Sequence, residues 1–173
     1  MTNYIQHYED LFAIEENYAE KAYASQEHLI SLMYSRGLLN NQGKPILIPR
    51  NSFADVELIK NDKKEIIIKP VTAGKGYNYY NINTGRLLLQ SYKTHKKYGD
   101  IDIILSKYTI KTIKQSLILR PREWLFTTIL NNDKYKDNSS FGTLISNTLG
   151  ITVNQIRRAF INYYLHLVGT PRN

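Results

Sequence analysis

The stretch GITVNQIRRAFINYYLHL, residues 150–167, predicts an amphipathic helix close to the end of the chain. Thr152 and Gln155 form the T-x-x-Q pattern of a capping box, which places the start of the helix directly after Thr152. Apolar side chains then recur at steps of three and four residues, the spacing of one helix face. This predicted buried stripe consists of Val153, Ile156, Phe160, Tyr163 or Tyr164, and Leu167. The stretch therefore predicts a terminal helix that packs against a core.

A second face of the same helix is polar and basic. Asn154, Arg157, Arg158 and Ile161 follow the helical spacing and share a face beside the apolar stripe. Two guanidinium groups and an amide on the first turns of a helix are suited to bind a phosphate oxygen. A solvated or salt-bridged edge of a packed helix has the same pattern, so spacing alone leaves both interpretations open.

The remaining pattern predicts a mostly helical α+β protein with one small antiparallel sheet. Residues 8–36 have the apolar spacing of one long helix or two in series, and RNSFADVELI (residues 50–59) could form a short helix. RLLLQSYKT and IDIILS predict a β-hairpin, and Ser106 is a plausible N-cap for the helix KYTIKTIKQSLIL. The apolar stripe of that helix is predicted to be Tyr108, Ile110, Ile113 and Leu117. FGTLISNTL forms a further helix that ends at Gly150.

Charge is distributed unevenly along the chain. Residues 1–40 contain two basic and six acidic side chains, whereas the other 133 residues contain 21 basic and nine acidic ones. We therefore divide the chain into an acidic N-terminal helical segment, residues 1–39, and a basic domain, residues 40–173. A basic domain of this kind favours a polyanionic partner, most often nucleic acid. Codon bias in an AT-rich genome also raises lysine, but it does not explain the arginines or the asymmetry.

Composition excludes several classes of function. The chain has no cysteine, which excludes a disulfide scaffold, cysteine-ligated zinc and thiol catalysis. The four histidines are scattered without a ligand motif, and TAGKGYN lacks the spacing of a phosphate-binding loop, so we expect neither a metal nor a cofactor. No signal peptide or membrane-spanning stretch is evident. We expect a soluble protein of the nucleus or cytoplasm, or one associated with a virion, that is not secreted and does not bind membranes.

Two other places could contribute cationic groups to a site. The predicted hairpin ends its first strand at Lys93 and has Lys96 and Lys97 in its turn. A lysine held there can act as a point charge or a proton donor, although a lysine-rich turn is more often a solvated edge. Arg50 follows Pro49 at the start of the predicted short helix, where Asp55 could orient it.

Taken in order, these motifs resemble the catalytic domain of the tyrosine recombinases, especially the divergent forms of large DNA viruses and mobile elements. The resemblance rests on IPRNSFAD, on QSYKTHKKYGDIDIILS, on PREWLF with SSFGTLI, and on VNQIRRAF, and it covers roughly residues 40–165. It implies a recombinase-like fold for the basic domain and DNA as the partner.

The resemblance also implies roles for individual residues. Arg50 and Arg157 would clamp a phosphate, and Lys93 would protonate the leaving hydroxyl. Asn154 stands where the family usually has histidine, and an amide does not exchange protons near neutral pH. Lys96, Lys97, Arg157 and Arg158 would contact nucleic acid.

The end of the chain departs from the family pattern. The family's nucleophilic tyrosine lies about thirty residues beyond the second arginine, whereas this chain continues for only 16 residues after Arg157. Tyr163 and Tyr164 are weak candidates for the nucleophile because they lie on the same helix as Arg157. We therefore expect a DNA-binding, recombinase-like protein that is catalytically inactive.

Two alternatives remain. The chain could be a viral structural or assembly protein that reuses the fold and contacts a particle partner or a second copy through residues 8–36. It could also be an active DNA strand-transferase whose tyrosine is supplied by another chain.

Overall fold

The computed structural model describes residues 4–35, 52–60, 78–91, 96, 99–136 and 138–168. For residues 4–8, 52, 138 and 164–168 it describes the backbone alone. Within these ranges the chain forms five α-helices and one four-stranded sheet. The predicted α+β class is therefore confirmed. Within the same ranges no helix combines the length and apolar character needed to cross a membrane.

Two helices in series begin the fold. Helix α1 spans Tyr4–Ala22 and helix α2 spans Gln26–Met33. Ala24 lies in the turn between them and has a φ of 63°, which interrupts the helical backbone. Ser25 then caps α2, because its side chain accepts a hydrogen bond of 3.1 Å from the backbone N–H of His28.

The sheet has the strand order β1-β2-β3-β4 and is mixed, not purely antiparallel as predicted. Strand β1 spans Glu57–Ile59, β2 spans Asn78–Asn81, β3 spans Arg86–Leu89 and β4 spans Ile101–Ile104. β3 and β4 form the predicted antiparallel hairpin, but β1 runs parallel to β2. The connection between β1 and β2 is long enough for the crossover that parallel pairing needs. Of the predicted short helix at residues 50–59, only a 3-10 turn, Ser52–Asp55, lies within the described residues, and the strand β1 follows it.

Three helices follow the sheet. They are α3, Lys107–Leu119, α4, Asn138–Leu149, and α5, Val153–Val168. Ser106 caps α3 as predicted, and its side chain accepts from the backbone N–H of Thr109 at 3.4 Å. Gly150 ends α4 with a φ of 76°, a backbone conformation that favours glycine.

One core joins all of these layers. It contains side chains from α1 and α2, from β2 and β3, and from α3, α4 and α5. Helix α5 packs mainly on α1, where Tyr163 meets Phe12 edge to face at 5.6 Å between ring centroids. Ile156 and Phe160 are buried, as the predicted stripe requires. The acidic segment therefore supplies core side chains that pack with those of the basic domain.

The buried face of α3 contains part of the predicted stripe, since Ile110 and Leu117 are partly buried against the core beside Ile113. Ile113 is buried, but Tyr108 is 41% exposed, and the hydroxyl residues Thr109, Thr112 and Ser116 are buried instead. Their hydroxyls are satisfied locally, as when Thr112 donates to the carbonyl of Tyr108 at 2.9 Å. Hydrogen-bonded threonine and serine can therefore occupy core positions that an apolar pattern does not reveal.

Candidate nucleic-acid interface

The first turn of α5 is closed by the predicted capping box. The side chain of Gln155 accepts from the backbone N–H of Thr152 at 2.8 Å, and Thr152 Oγ1 accepts from the backbone N–H of Gln155 at 3.2 Å. This leaves the N–H groups of Val153 and Asn154 without a partner inside the helix. Because the helix dipole is positive at this end, these two donors are suited to an anion.

A groove of about 420 Å³ lies at this end of α5, between α4 and α5. Among the described residues, its wall is rich in hydroxyl groups and has no charged side chain. The lining residues are Ser139, Gly142, Thr143, Ser146, Thr152, Val153 and Asn154. Because Val153 and Asn154 line the groove as well as supplying the open N–H groups, an anion in the groove can reach backbone donors and hydroxyls together.

The basic residues of α5 follow within the next turn. Asn154 and Arg158 are exposed, and Arg157 is partly exposed. They share a face by helical spacing, three and four residues after Asn154. Residues 138–168 contain no aspartate or glutamate, so no acidic side chain of α4 or α5 opposes an anion here.

The other residues predicted for the site are placed only in part. Arg50, Lys93 and Lys97 lie outside the described residues, so the convergence of Arg50 and Lys93 with Arg157 stays a prediction. Lys96 is described and exposed. Asp55, which was expected to orient Arg50, forms an ion pair with Lys134 at 2.8 Å.

The two candidate tyrosines lie further along α5. Tyr163 is partly buried and packs against the core through its ring contact with Phe12. For Tyr164 only the backbone is described. Tyr163 therefore contributes to the packing of α5 on α1, and its role as a nucleophile stays a prediction.

A row of lysines on α3 was not identified in the sequence. Lys107, Lys111 and Lys114 are all exposed and lie four and three residues apart, so they share one face over about 10 Å. Across the described ranges, none of the three forms an ion pair with an acidic side chain. The signal in the sequence was the absence of acidic residues from α3, together with this spacing.

Several arginines are committed to the fold instead. Arg86 on β3 forms a two-pronged hydrogen-bonded pair with Asp102 on β4, and this bonding raises the pKa of the guanidinium. Arg120 donates to the side chain of Gln26 at 2.7 Å. Burial, together with the nearby charge of Arg120, lowers the pKa of Arg122 to about 10, so Arg122 stays charged at neutral pH.

Arg122 itself closes the end of α3. It donates to the carbonyls of Ser116, Arg120 and Leu125 and to the hydroxyl of Ser116, at 2.8–3.2 Å. The carbonyl of Ser116 also accepts from the backbone N–H of Arg120 at 2.9 Å, so Arg122 is a second donor there, and it supplies a donor to the carbonyls of Arg120 and Leu125. The role of Arg122 is therefore structural.

A buried ionisable pair lies between α1 and α2. His28 and Glu15 are both buried, with 2.7 Å between Nε2 and Oε2. Tyr108 of α3 donates to the same Oε2 at 3.2 Å. Among the described residues, no group of three or more His, Asp or Glu side chains is arranged to hold a metal ion.

Comparison of the chain with protein-family models, with curated proteins and with solved structures finds no match. Function is therefore inferred from the residues of the chain itself.

Proposed function

We propose that this protein binds DNA through the phosphate backbone, with the groove at the start of α5 as a principal contact. The observation that carries the proposal is the pair of open N–H groups of Val153 and Asn154. Both residues line a groove whose described wall carries hydroxyl groups and no acidic side chain, and two arginines follow within one turn. A phosphate oxygen is the anion that this combination fits in a strongly basic chain.

The lysine row on α3 adds electrostatic attraction that does not depend on sequence. Lys107, Lys111 and Lys114 present three exposed charges on one helix face. Lysines of this kind bind phosphates as point charges, and they release counterions from the DNA. Binding through phosphates fixes the orientation of a protein on a duplex without reading the base sequence.

More specifically, we propose a recombinase-like protein that binds a phosphate of the DNA backbone without cleaving the strand. Asn154 supports this form, because an amide can donate a hydrogen bond to a phosphate but cannot shuttle a proton. This more specific proposal also requires Arg50 and Lys93 to approach Arg157. An active enzyme would instead form a covalent adduct with a nicked suicide substrate, mapped to Tyr163, Tyr164 or a tyrosine of another chain.

Fluorescence anisotropy with a labelled duplex of about 30 base pairs, measured across a salt series, tests DNA binding. The logarithm of the affinity should fall steeply with the logarithm of salt, by about 0.9 for each phosphate neutralised. Absence of binding at about 50 mM salt would contradict the proposal and favour the assembly alternative. Co-purification at fixed stoichiometry with a particle would then support that alternative.

The groove is tested by N154D, with N147D as its matched control. An aspartate in the first turn of α5 interacts favourably with the helix dipole but repels a phosphate. N154D should therefore keep its stability, while its affinity for DNA falls about tenfold or more. Asn147 is exposed on α4 and does not line the groove, although N147D adds the same charge. Equal losses in both variants would mean that net charge, and not the groove, determines binding.

A further inference from the structure

A short hairpin between α3 and α4 presents two aliphatic side chains to solvent. Thr127 and Lys134 form an antiparallel bridge, and the chain turns between them. At the tip, Ile129 is 71% exposed and Leu130 is 94% exposed. Leu130 is therefore almost as accessible as in an extended chain.

Hydrogen bonds within the hairpin and to the end of α3 fix its conformation. The backbone N–H of Thr128 donates to the carbonyl of Asp133 at 2.8 Å, and the N–H of Asn132 donates to the carbonyl of Thr128 at 2.9 Å. Asn132 has a φ of 54° and accepts a hydrogen bond of 2.8 Å from the hydroxyl of Thr127. Its side-chain amide also donates to the carbonyl of Pro121 at 2.9 Å. The tip is therefore held in a defined shape beside the end of α3.

The surroundings of the tip are basic and contain two more exposed aliphatic residues. Ile118 and Leu119, at the end of α3, are 72% and 60% exposed. Ile118 also continues the lysine row, because it lies four residues after Lys114. Residues 103–136 contain seven basic and two acidic side chains, and four of the basic ones, Lys107, Lys111, Lys114 and Lys136, are exposed and outside the pairs described above. This charge favours an anionic partner for the aliphatic tip.

We propose that Ile129 and Leu130 form an apolar wedge that enters a base step of duplex DNA when the lysine row holds its backbone. This inference rests on the proposed function and adds a mode of binding to it. Many architectural proteins that bind the minor groove insert apolar side chains between base steps, and the duplex kinks by about 20–90°. A membrane surface fits the patch less well, because interfacial binding needs a broad apolar face and this tip is flanked by Asn131, Asn132 and Asp133.

The test compares wild type with the double variant I129S/L130S on a duplex of about 30 base pairs labelled at both ends for energy transfer. I104S is the matched control, because Ile104 is a 37% exposed aliphatic residue on β4. Wild type and I104S should bring the duplex ends together. The tip variant should leave the duplex straight. Its affinity for DNA should stay within about tenfold of wild type, because it loses the contacts of the wedge but also avoids the cost of unstacking the bases.

Each other outcome has a distinct meaning. If wild type binds the duplex without bending it, or if the tip variant bends it equally, the wedge is refuted and the proposed function stands. If wild type does not bind the duplex at about 50 mM salt, the proposed function itself fails. If the tip variant loses binding to vesicles of anionic lipid while its DNA binding and bending are unchanged, the tip is a membrane contact and the wedge is refuted.

Discussion

His28 is completely buried against Glu15, and the contacts of its ring fix which nitrogen carries the proton. Nδ1 accepts a hydrogen bond of 2.9 Å from the backbone N–H of Ala24, so the proton of the neutral ring is on Nε2 and is donated to Glu15 at 2.7 Å. The pair therefore joins α1 to α2, and the bond from Ala24 ties the turn between them to the same ring. Tyr108 extends the connection to α3.

We expect E15A to lower the free energy of unfolding by about 2–4 kcal/mol, because it removes the buried carboxylate that accepts from His28 and leaves its N–H only the hydroxyl of Tyr108, 3.5 Å away. Chemical denaturation measures this loss. E20A is the control, since Glu20 is exposed on the same helix, and it should cost about 0.5 kcal/mol or less. A similar small cost for E15A would show that water replaces the lost carboxylate.

Gly85 should not tolerate a side chain. It has a φ of 76°, and an added β-carbon would overlap the side chain of Ile110 on α3. G85A should therefore cost about 2–4 kcal/mol, combining backbone strain with overpacking. Thermal unfolding of G85A measures the cost.

Gly150 is the control for the backbone contribution alone. It has the same φ of 76° but nothing within 4 Å of an added β-carbon. G150A should cost about 1–2 kcal/mol. Equal losses in G85A and G150A would contradict the proposed overlap with Ile110.

Replacing Arg122 should destabilise the fold more than replacing an exposed arginine. R122M keeps an unbranched apolar stem but removes the donors to the carbonyls of Arg120 and Leu125 and the second donor to that of Ser116, at a cost of about 2–4 kcal/mol. R122K should recover only part of this, because an ammonium cannot reproduce the fork of a guanidinium. R158M, at an exposed position, should change stability by about 0.5 kcal/mol or less. Urea denaturation of the three variants gives the ranking.

Removing lysines from the row on α3 should weaken DNA binding without regard to sequence. K107A, K111A and K114A should each reduce the salt slope by up to about 0.9, because each lysine neutralises at most one phosphate. K21A on the acidic helix α1 is the control and should leave both affinity and slope unchanged. Anisotropy on two duplexes of unrelated sequence checks this, and a loss confined to one duplex would indicate base contacts instead.

Features encoded by neighbouring residues could be predicted from the sequence. The capping box of Thr152 and Gln155, the N-cap at Ser106 and the hairpin of β3 and β4 all depend on contacts between residues close in the chain. The parallel pairing of β1 with β2 and the buried hydroxyls of α3 depend on partners distant in the chain, so no local pattern specified them. For the site, spacing predicted the polar face of α5 but not the groove, which needs α4 beside it.

The mixed sheet also has a consequence for the order of folding. Strands β2, β3 and β4 are consecutive and pair antiparallel, so they can associate through short connections. β1 pairs with the later strand β2. The backbone N–H of Leu58 also donates to the carbonyl of Glu123, which follows α3 in the chain, at 2.8 Å. Closing such long connections costs more chain entropy and slows association. β1 should therefore join the sheet last, and during synthesis the amide of Leu58 should gain protection from hydrogen exchange only after Glu123 has left the ribosome.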